Sequence, residues 1–167
     1  MSQGGDAITR MIEGSLRRPR FLIDLCERTL SFAINRGHGF VTEEDVNEGL
    51  RQMSLYLVSD FGYEMRDIAG TPEDIFYSFI GASHLLTEEE LAVILRDDAL
   101  NLGVDETVEL LLWYGFLGVV TASDKSVFIY DRAYDFKRLL AERSEQKGDR
   151  LYAVNSAFLL GLEREQT

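Results

Sequence analysis

Hydrophobic residues recur at helical spacing through the first 70 residues of the chain. A short amphipathic helix is predicted over 6–16, with its apolar face made by Ile8, Met11, Ile12 and Leu16. Pro19 then lies where a second helix can begin, because proline lacks the N–H that goes unused in a first helical turn. Gly37 and Gly39 are expected to end this second helix.

A third helix is predicted after the two glycines. Thr42 is a suitable N-cap, and Asp45, three residues later, completes a variant of the capping box. Apolar residues continue this helix to about Phe61. Gly70 and the Thr71-Pro72 pair interrupt the pattern, so we place a domain boundary here, between a helical domain at 1–70 and a second domain at 71–167.

The second domain combines short helices with β-type segments. Helix caps are predicted at Thr71, at Thr87 (with Glu90 completing a capping box) and at Asp105. Two β-type runs at 117–121 and 126–130 are joined by four residues and indicate a hairpin. A helix over 134–146 and a short strand leading to a terminal helix within 151–161 follow. Three helices followed by a hairpin are typical of a winged helix, and the predicted fold class is mainly α with a small β-hairpin.

Charge and composition narrow the classes of partner. The net charge is −12, and most of the excess acid lies in the second domain. The helix predicted from Asp105 holds three acids and no base, so nucleic-acid binding through it is not expected. The single cysteine, Cys26, cannot form an internal disulfide and is predicted to be buried. No apolar run reaches the roughly 20 residues of a membrane helix, and the N-terminus lacks a signal-peptide core, so a cytoplasmic protein without membrane contact is expected.

Catalytic and metal-binding motifs are missing from the sequence. It contains no phosphate loop, no dinucleotide-binding glycine motif and no metalloprotease motif. Its two histidines are His38 and His84, which are far apart in the chain, so a zinc site with the usual ligands is not expected. We therefore predict a binding or regulatory module without its own catalytic site, metal or cofactor.

Three arginines around a proline form the most distinctive segment of the chain. Arg17, Arg18 and Arg20 lie at the start of the second predicted helix, where the partial positive charge of the helix N-terminus disfavours bases. Two readings remain open. The arginines form salt bridges within this acidic chain, or they bind a phosphate group.

This segment resembles the second sensor motif in the helical lid of AAA-type and STAND-type P-loop ATPases of bacteria. The following pattern from Gly37 to Val46 is similar to the next lid connection in those families, and many of them continue into a C-terminal winged helix. The specific motifs cover about residues 16–50. The chain lacks the phosphate loop and the nucleotide-binding sheet of these ATPases, so the resemblance implies a lid-like helical bundle followed by a winged helix, separated from its nucleotide core.

The resemblance also implies roles for residues. Arg20 would contact the γ-phosphate of ATP bound with Mg²⁺ in the parent protein, and Arg17 and Arg18 would make supporting or intersubunit contacts. The winged helix would bind a protein partner or the missing ATPase core, with Trp113, Tyr114 and Phe116 as anchors. The interpretation that we favour for these three aromatic residues is that they pack the hairpin onto the helices. The alternatives are a stand-alone winged-helix regulator that binds DNA and a purely structural adaptor.

Overall fold

The computed structural model describes residues 3–96, 102–146 and 148–163, with side chains from residue 6 onwards. These residues are mainly helical, with a small antiparallel sheet, as the sequence predicted. The α-helices are α1 (Gln3–Gly14), α2 (Pro19–Asn35), α3 (Glu43–Ala69), α4 (Glu88–Ile94), α5 (Val104–Trp113), α6 (Phe136–Glu145) and α7 (Ser156–Leu162). The strands are β1 (Leu85–Thr87), β2 (Leu117–Val120), β3 (Ser126–Val127) and β4 (Leu151–Val154), and Ile75–Phe79 and Ile129–Arg132 form 3₁₀ helices.

The chain divides into two compact units. The first unit comprises Met1–Val58 and Ser156–Gly161, and the second comprises Ser59–Asn155 and Leu162–Thr167. Helix α3 ends at Ala69, next to Gly70 with a φ of 67°, where the sequence pattern is interrupted. The domain boundary near residue 70 stays a prediction.

The first unit is built on the inner faces of α2 and α3. Helix α2 buries Leu25, Thr29 and Ala33, which follow one another at four-residue spacing. Gly49 of α3 approaches α2 so closely that a Cβ atom there would overlap the Thr29 hydroxyl. The backbone N–H of Gly161 donates to Ser54 Oγ at 2.8 Å, which ties the 156–161 segment to α3. The close approaches at Gly49 and Gly161, where a Cβ atom would overlap a neighbour, therefore set the distances between α3 and the segments packed against it.

The second unit contains the sheet, whose strand order is β1-β4-β2-β3. The predicted hairpin is present as β2 paired with β3, and β3 is shorter than expected because Ile129 begins a 3₁₀ helix. Strand β4 pairs antiparallel with both β1 and β2. The sheet thus extends beyond the predicted hairpin, with β4 inserted between β1 and β2, and the winged-helix assignment stays a prediction.

The predicted helix caps are confirmed where the capping residue and its hydrogen-bond partner are three positions apart. The Thr42–Asp45 pair forms reciprocal bonds at the start of α3, and the Thr87–Glu90 capping box begins α4. Pro19 occupies the first turn of α2, as predicted. Helix α3 continues eight residues past Phe61.

Three local predictions were wrong. Thr71 does not cap a helix; the turn that follows is the 3₁₀ helix, with Asp74 at its N-cap, and the buried Thr71 hydroxyl has no hydrogen-bond partner. Asp105 lies inside the first turn of α5, whose N-cap is Gly103. Cys26 is exposed, because the buried face of α2 runs through Leu25 and Thr29 instead.

Candidate functional site

The arginine segment lies in a tight turn between α1 and α2. Helix α1 ends with Leu16 N–H bonded to Glu13 O at 3.0 Å and Arg17 N–H bonded to Ile12 O at 3.1 Å. This is a Schellman arrangement, in which the residue after the helix adopts a left-handed conformation and is usually glycine. Here both Leu16 and Arg17 have φ of 53°. Burial of the Leu16 side chain, which is 1% exposed, compensates for a cost of roughly 1–2 kcal/mol for each left-handed residue.

This turn separates the three arginines by environment. Arg17 is exposed at the left-handed position. Arg18 is the N-cap of α2, and its guanidinium lies 5.4 Å from the centre of the Phe21 ring. Arg20 follows Pro19 in the first turn, and its side chain is exposed. The three side chains are adjacent in sequence, but each is held differently by the fold.

Arg20 opens onto a shallow groove of about 380 Å³ on the first unit. The aromatic rings of Phe21 and Tyr56 form part of the lining and meet edge to face, with centroids 6.3 Å apart. Arg28 lies over the Tyr56 ring at 5.2 Å and bonds Asp24 at 3.0 Å. The charge of Arg28 is therefore already balanced inside the groove.

Arg20 differs from the paired arginines of this acidic chain. The ion-paired arginines in the described parts of the chain include Arg10, Arg28, Arg36, Arg51, Arg66, Arg132, Arg143 and Arg150. No carboxylate of the described residues lies within ion-pair distance of the Arg20 guanidinium. A positive side chain without a counter-ion, beside the N–H groups of a first helical turn, can bind an anion.

The three predicted aromatic anchors have different degrees of burial. Trp113 is 48% exposed and meets Phe136 edge to face at 5.3 Å. Tyr114 and Phe116 are buried, the first against Phe61 and the second between the rings of the 75–79 helix. Helix α5 ends at Trp113, and Gly115 with a φ of 74° turns the chain inward. In this conformation Tyr114 and Phe116 are packing residues, and Trp113 alone of the three presents a large surface.

The second unit contains a buried arginine, Arg143, that the sequence analysis did not predict as a buried or paired residue. The Arg143 side chain is 6% exposed and lies among carboxylates of two other helices: Nη1 is 3.3 Å from Glu109, and Nη2 bonds Asp105 and is 3.5 Å from Glu88. Its Nε donates to the Tyr152 hydroxyl at 2.8 Å. The partners are separated from Arg143 by 9 to 55 positions, so no local spacing could have indicated them.

The protonation states of Arg143 and Tyr152 follow from their burial and from the bonds that they make. Burial opposes the charge of Arg143, but the bonds to Tyr152 and Asp105 outweigh it and raise the pKa of the guanidinium. Burial also raises the pKa of the Tyr152 hydroxyl, against the opposing influence of Arg143. Arg143 is therefore a permanent cation that holds the acids of α4 and α5 together, and the arrangement is structural.

A second polar cluster joins the end of α2 to the start of α3. Asp45, whose side chain is fully buried, accepts from the Thr42 N–H at 2.9 Å and hydroxyl at 2.8 Å, and its Oδ2 is 2.8 Å from His38 Nδ1. Burial opposes ionisation of Asp45, but the bonds from His38 and Thr42 outweigh it and lower the pKa to about 2. Asp45 thus remains ionised and fixes the α2–α3 connection.

The described residues contain neither a cluster suited to a metal ion nor a membrane-spanning helix. No group of three or more histidine, cysteine, aspartate or glutamate side chains in this part of the chain is arranged to hold a metal ion. No helix among the described residues is both long enough and apolar enough to cross a bilayer.

Comparison with known proteins gives one family match. No curated protein and no solved structure matches the chain significantly. Residues 1–62 match the model of a family described as the FunZ-associated C-terminal helical domain. The matched part contains α1, α2 and most of α3, together with the arginine turn and the Asp45 cluster. Residues 1–62 are therefore similar to a C-terminal helical domain.

Proposed function

We propose that this chain is a non-catalytic accessory module of a P-loop ATPase, in which Arg20 contacts a phosphate group of the bound nucleotide. The exposed Arg20 guanidinium in the first turn of α2, which pairs with no carboxylate of the described residues, carries this proposal. The similarity of residues 1–62 to a C-terminal helical domain supports the accessory role.

The arginine turn suits this role for an electrostatic reason. A helix N-terminus and a guanidinium both repel other cations and both stabilise an anion, so together they favour a ligand with concentrated negative charge. Arg17 and Arg18 add positive charge at the same end of α2. The site contributes only charge stabilisation of the phosphate, and the phosphate loop and Mg²⁺ belong to the nucleotide core of the ATPase. Loss of the γ-phosphate then weakens the contact and releases the module.

The test begins by finding the ATPase core, as an in-frame segment or a co-purifying protein with a phosphate loop. ATP turnover is then measured on the reconstituted complex with the wild-type chain, Arg20→Ala and Arg20→Lys. We expect Arg20→Ala to reduce turnover by about a hundredfold, the usual effect of removing one donor to a transition-state anion. Arg51→Ala is the matched control, because Arg51 is exposed in the same unit but paired with Glu48. Unchanged turnover with Arg20→Ala in an assembled complex refutes the proposal.

The second unit is proposed to contact protein and not DNA. Asp105 and Glu106 lie in the first turn of α5 and are exposed, and Glu109 follows one turn later. These acids would repel DNA phosphates, whereas Trp113 at the end of the same helix offers a half-exposed aromatic anchor. Anisotropy of a labelled duplex should show no binding at low salt. Binding that weakens linearly with the logarithm of salt concentration would favour the DNA-binding alternative.

A further inference from the structure

The outer face of α2 carries an apolar row that the first unit leaves uncovered. Ile23 is 62% exposed, Leu30 is 50% exposed and Ile34 is 73% exposed, and Glu27 lies among them with an exposed side chain. We call these four residues the α2 seam. At about 100° per residue, they fall within an arc of about 60°, whose centre lies about 130° around α2 from that of the buried residues Leu25, Thr29 and Ala33.

The spacing of the α2 seam indicates the shape of what covers it. Its members follow one another at intervals of four, three and four residues, which is the spacing of alternating core positions in a coiled coil. Over this span, an apolar row at that spacing stays on one side of α2, as the seam of a coiled coil does. A second helix with apolar residues at the same spacing can therefore cover this row along its length.

Charge complementarity selects the chemistry of the partner helix. Glu27 lies between Ile23 and Leu30, and no base of the described residues forms an ion pair with it. Covering the seam takes the Glu27 carboxylate out of water, which is unfavourable unless a cation or a hydrogen-bond donor meets it. A lysine or arginine at the opposing position satisfies this carboxylate, and apolar residues meet the rest of the seam.

A second copy of the chain does not meet this requirement. Parallel pairing of two seams places Glu27 against Glu27. Antiparallel pairing that covers all three apolar residues places Glu27 against Leu30, which leaves two carboxylates desolvated without a counter-ion. The net charge of −12 on each copy adds repulsion.

We infer that the α2 seam docks an amphipathic helix of a different protein segment, with a heptad row of apolar residues and a lysine or arginine opposite Glu27. The inference goes beyond phosphate binding and does not depend on it, since it does not use Arg20. It gives the helical unit a second contact, made along α2 instead of at its N-terminus.

Two labelled peptides probe this surface. Each is a 21-residue amphipathic helix with leucine at its heptad core positions, and the central core position holds lysine in one peptide and glutamate in the other. Fluorescence anisotropy is measured with the full chain, with Glu27→Lys, and with the triple variant Ile23→Gln/Leu30→Gln/Ile34→Gln. Ile8→Gln is the matched control, because Ile8 is also 62% exposed in the same unit but lies on α1.

The wild-type chain should bind the lysine peptide about fivefold more tightly than the glutamate peptide, within the range of coupling known for partly exposed charge pairs. Glu27→Lys should reverse this order. The triple variant should lose binding while keeping its circular dichroism spectrum, and Ile8→Gln should bind as the wild type does. Equal affinity for both peptides, absence of binding, or binding that survives the triple substitution overturns the inference. A seam-dependent homodimer in sedimentation analysis also overturns it, because the occupant is then a second copy.

Discussion

Replacement of Arg143 by methionine tests how the acidic second unit is held together. Methionine keeps much of the apolar stem but leaves the Tyr152 hydroxyl, whose ring is fully buried, without its partner. An unsatisfied buried hydroxyl costs about 1–3 kcal/mol. The carboxylates of Glu88, Asp105 and Glu109 are 45%, 66% and 39% exposed, so they regain water and each lost ion pair costs at most about 1 kcal/mol. We expect a loss of about 3 kcal/mol in the free energy of unfolding.

The same reasoning predicts a rescue. Adding Tyr152→Phe to Arg143→Met removes the unsatisfied hydroxyl and should restore about 1–2 kcal/mol, whereas Tyr152→Phe alone should destabilise by about 1 kcal/mol. Urea unfolding followed by the fluorescence of Trp113, the single tryptophan, and by circular dichroism at 222 nm measures these differences. Arg66→Met is the control, because Arg66 is paired but 46% exposed, and it should change stability by less than about 0.5 kcal/mol. A double variant no more stable than Arg143→Met would refute the role given to the hydroxyl.

Two further predictions concern α3. Because the folded-state pKa of Asp45 is lowered from 3.8 to about 2, its contribution to stability is present above about pH 4 and is lost as the pH falls toward 2. Urea midpoints at pH 5 and pH 2.5 should therefore show a smaller acid-dependent loss of stability for Asp45→Asn than for the wild type, and equal losses would contradict this. Gly62→Ala should destabilise by about 1–3 kcal/mol despite the helix preference of alanine, because the new Cβ would overlap the Glu73 carbonyl oxygen. Thermal melts compared with Gly39→Ala, where a Cβ has open space, measure the second effect, and equal melting temperatures would contradict it.

The sequence predicted elements whose signals lie within one helical turn. Pro19, the Thr42–Asp45 pair and the Thr87–Glu90 pair act on neighbouring backbone groups, so their effect does not depend on the rest of the fold. Thr71 failed as a cap because tertiary packing of Ile75, Phe76 and Phe79 fixes a 3₁₀ turn there. Strands β1 and β4 are three and four residues long, and their pairing joins residues more than 60 positions apart.

The candidate site was predictable only in part. The arginine turn could be found because three bases around a proline contradict the electrostatic preference of a helix start. The separation of Trp113 from Tyr114 and Phe116 depends on the left-handed turn at Gly115, which decides which ring points outward. The exposure of the α2 seam depends on which face of α2 the unit buries, and an amphipathic pattern with apolar residues on both sides does not specify that face.

The position of β4 in the sheet has a consequence for how the second unit folds. Strands β1 and β2 do not pair with each other and meet only through β4, whose residues lie 64 positions after β1 in the case of Thr87 and Leu151. Closing such a loop costs conformational entropy before any strand contact compensates for it, which slows folding relative to a sheet of consecutive hairpins. Until residues 151–154 have docked, both β1 and β2 present an unpaired edge, and unpaired edges are templates for association between chains. Strand β4 is therefore the element whose docking covers the edges that β1 and β2 present to it.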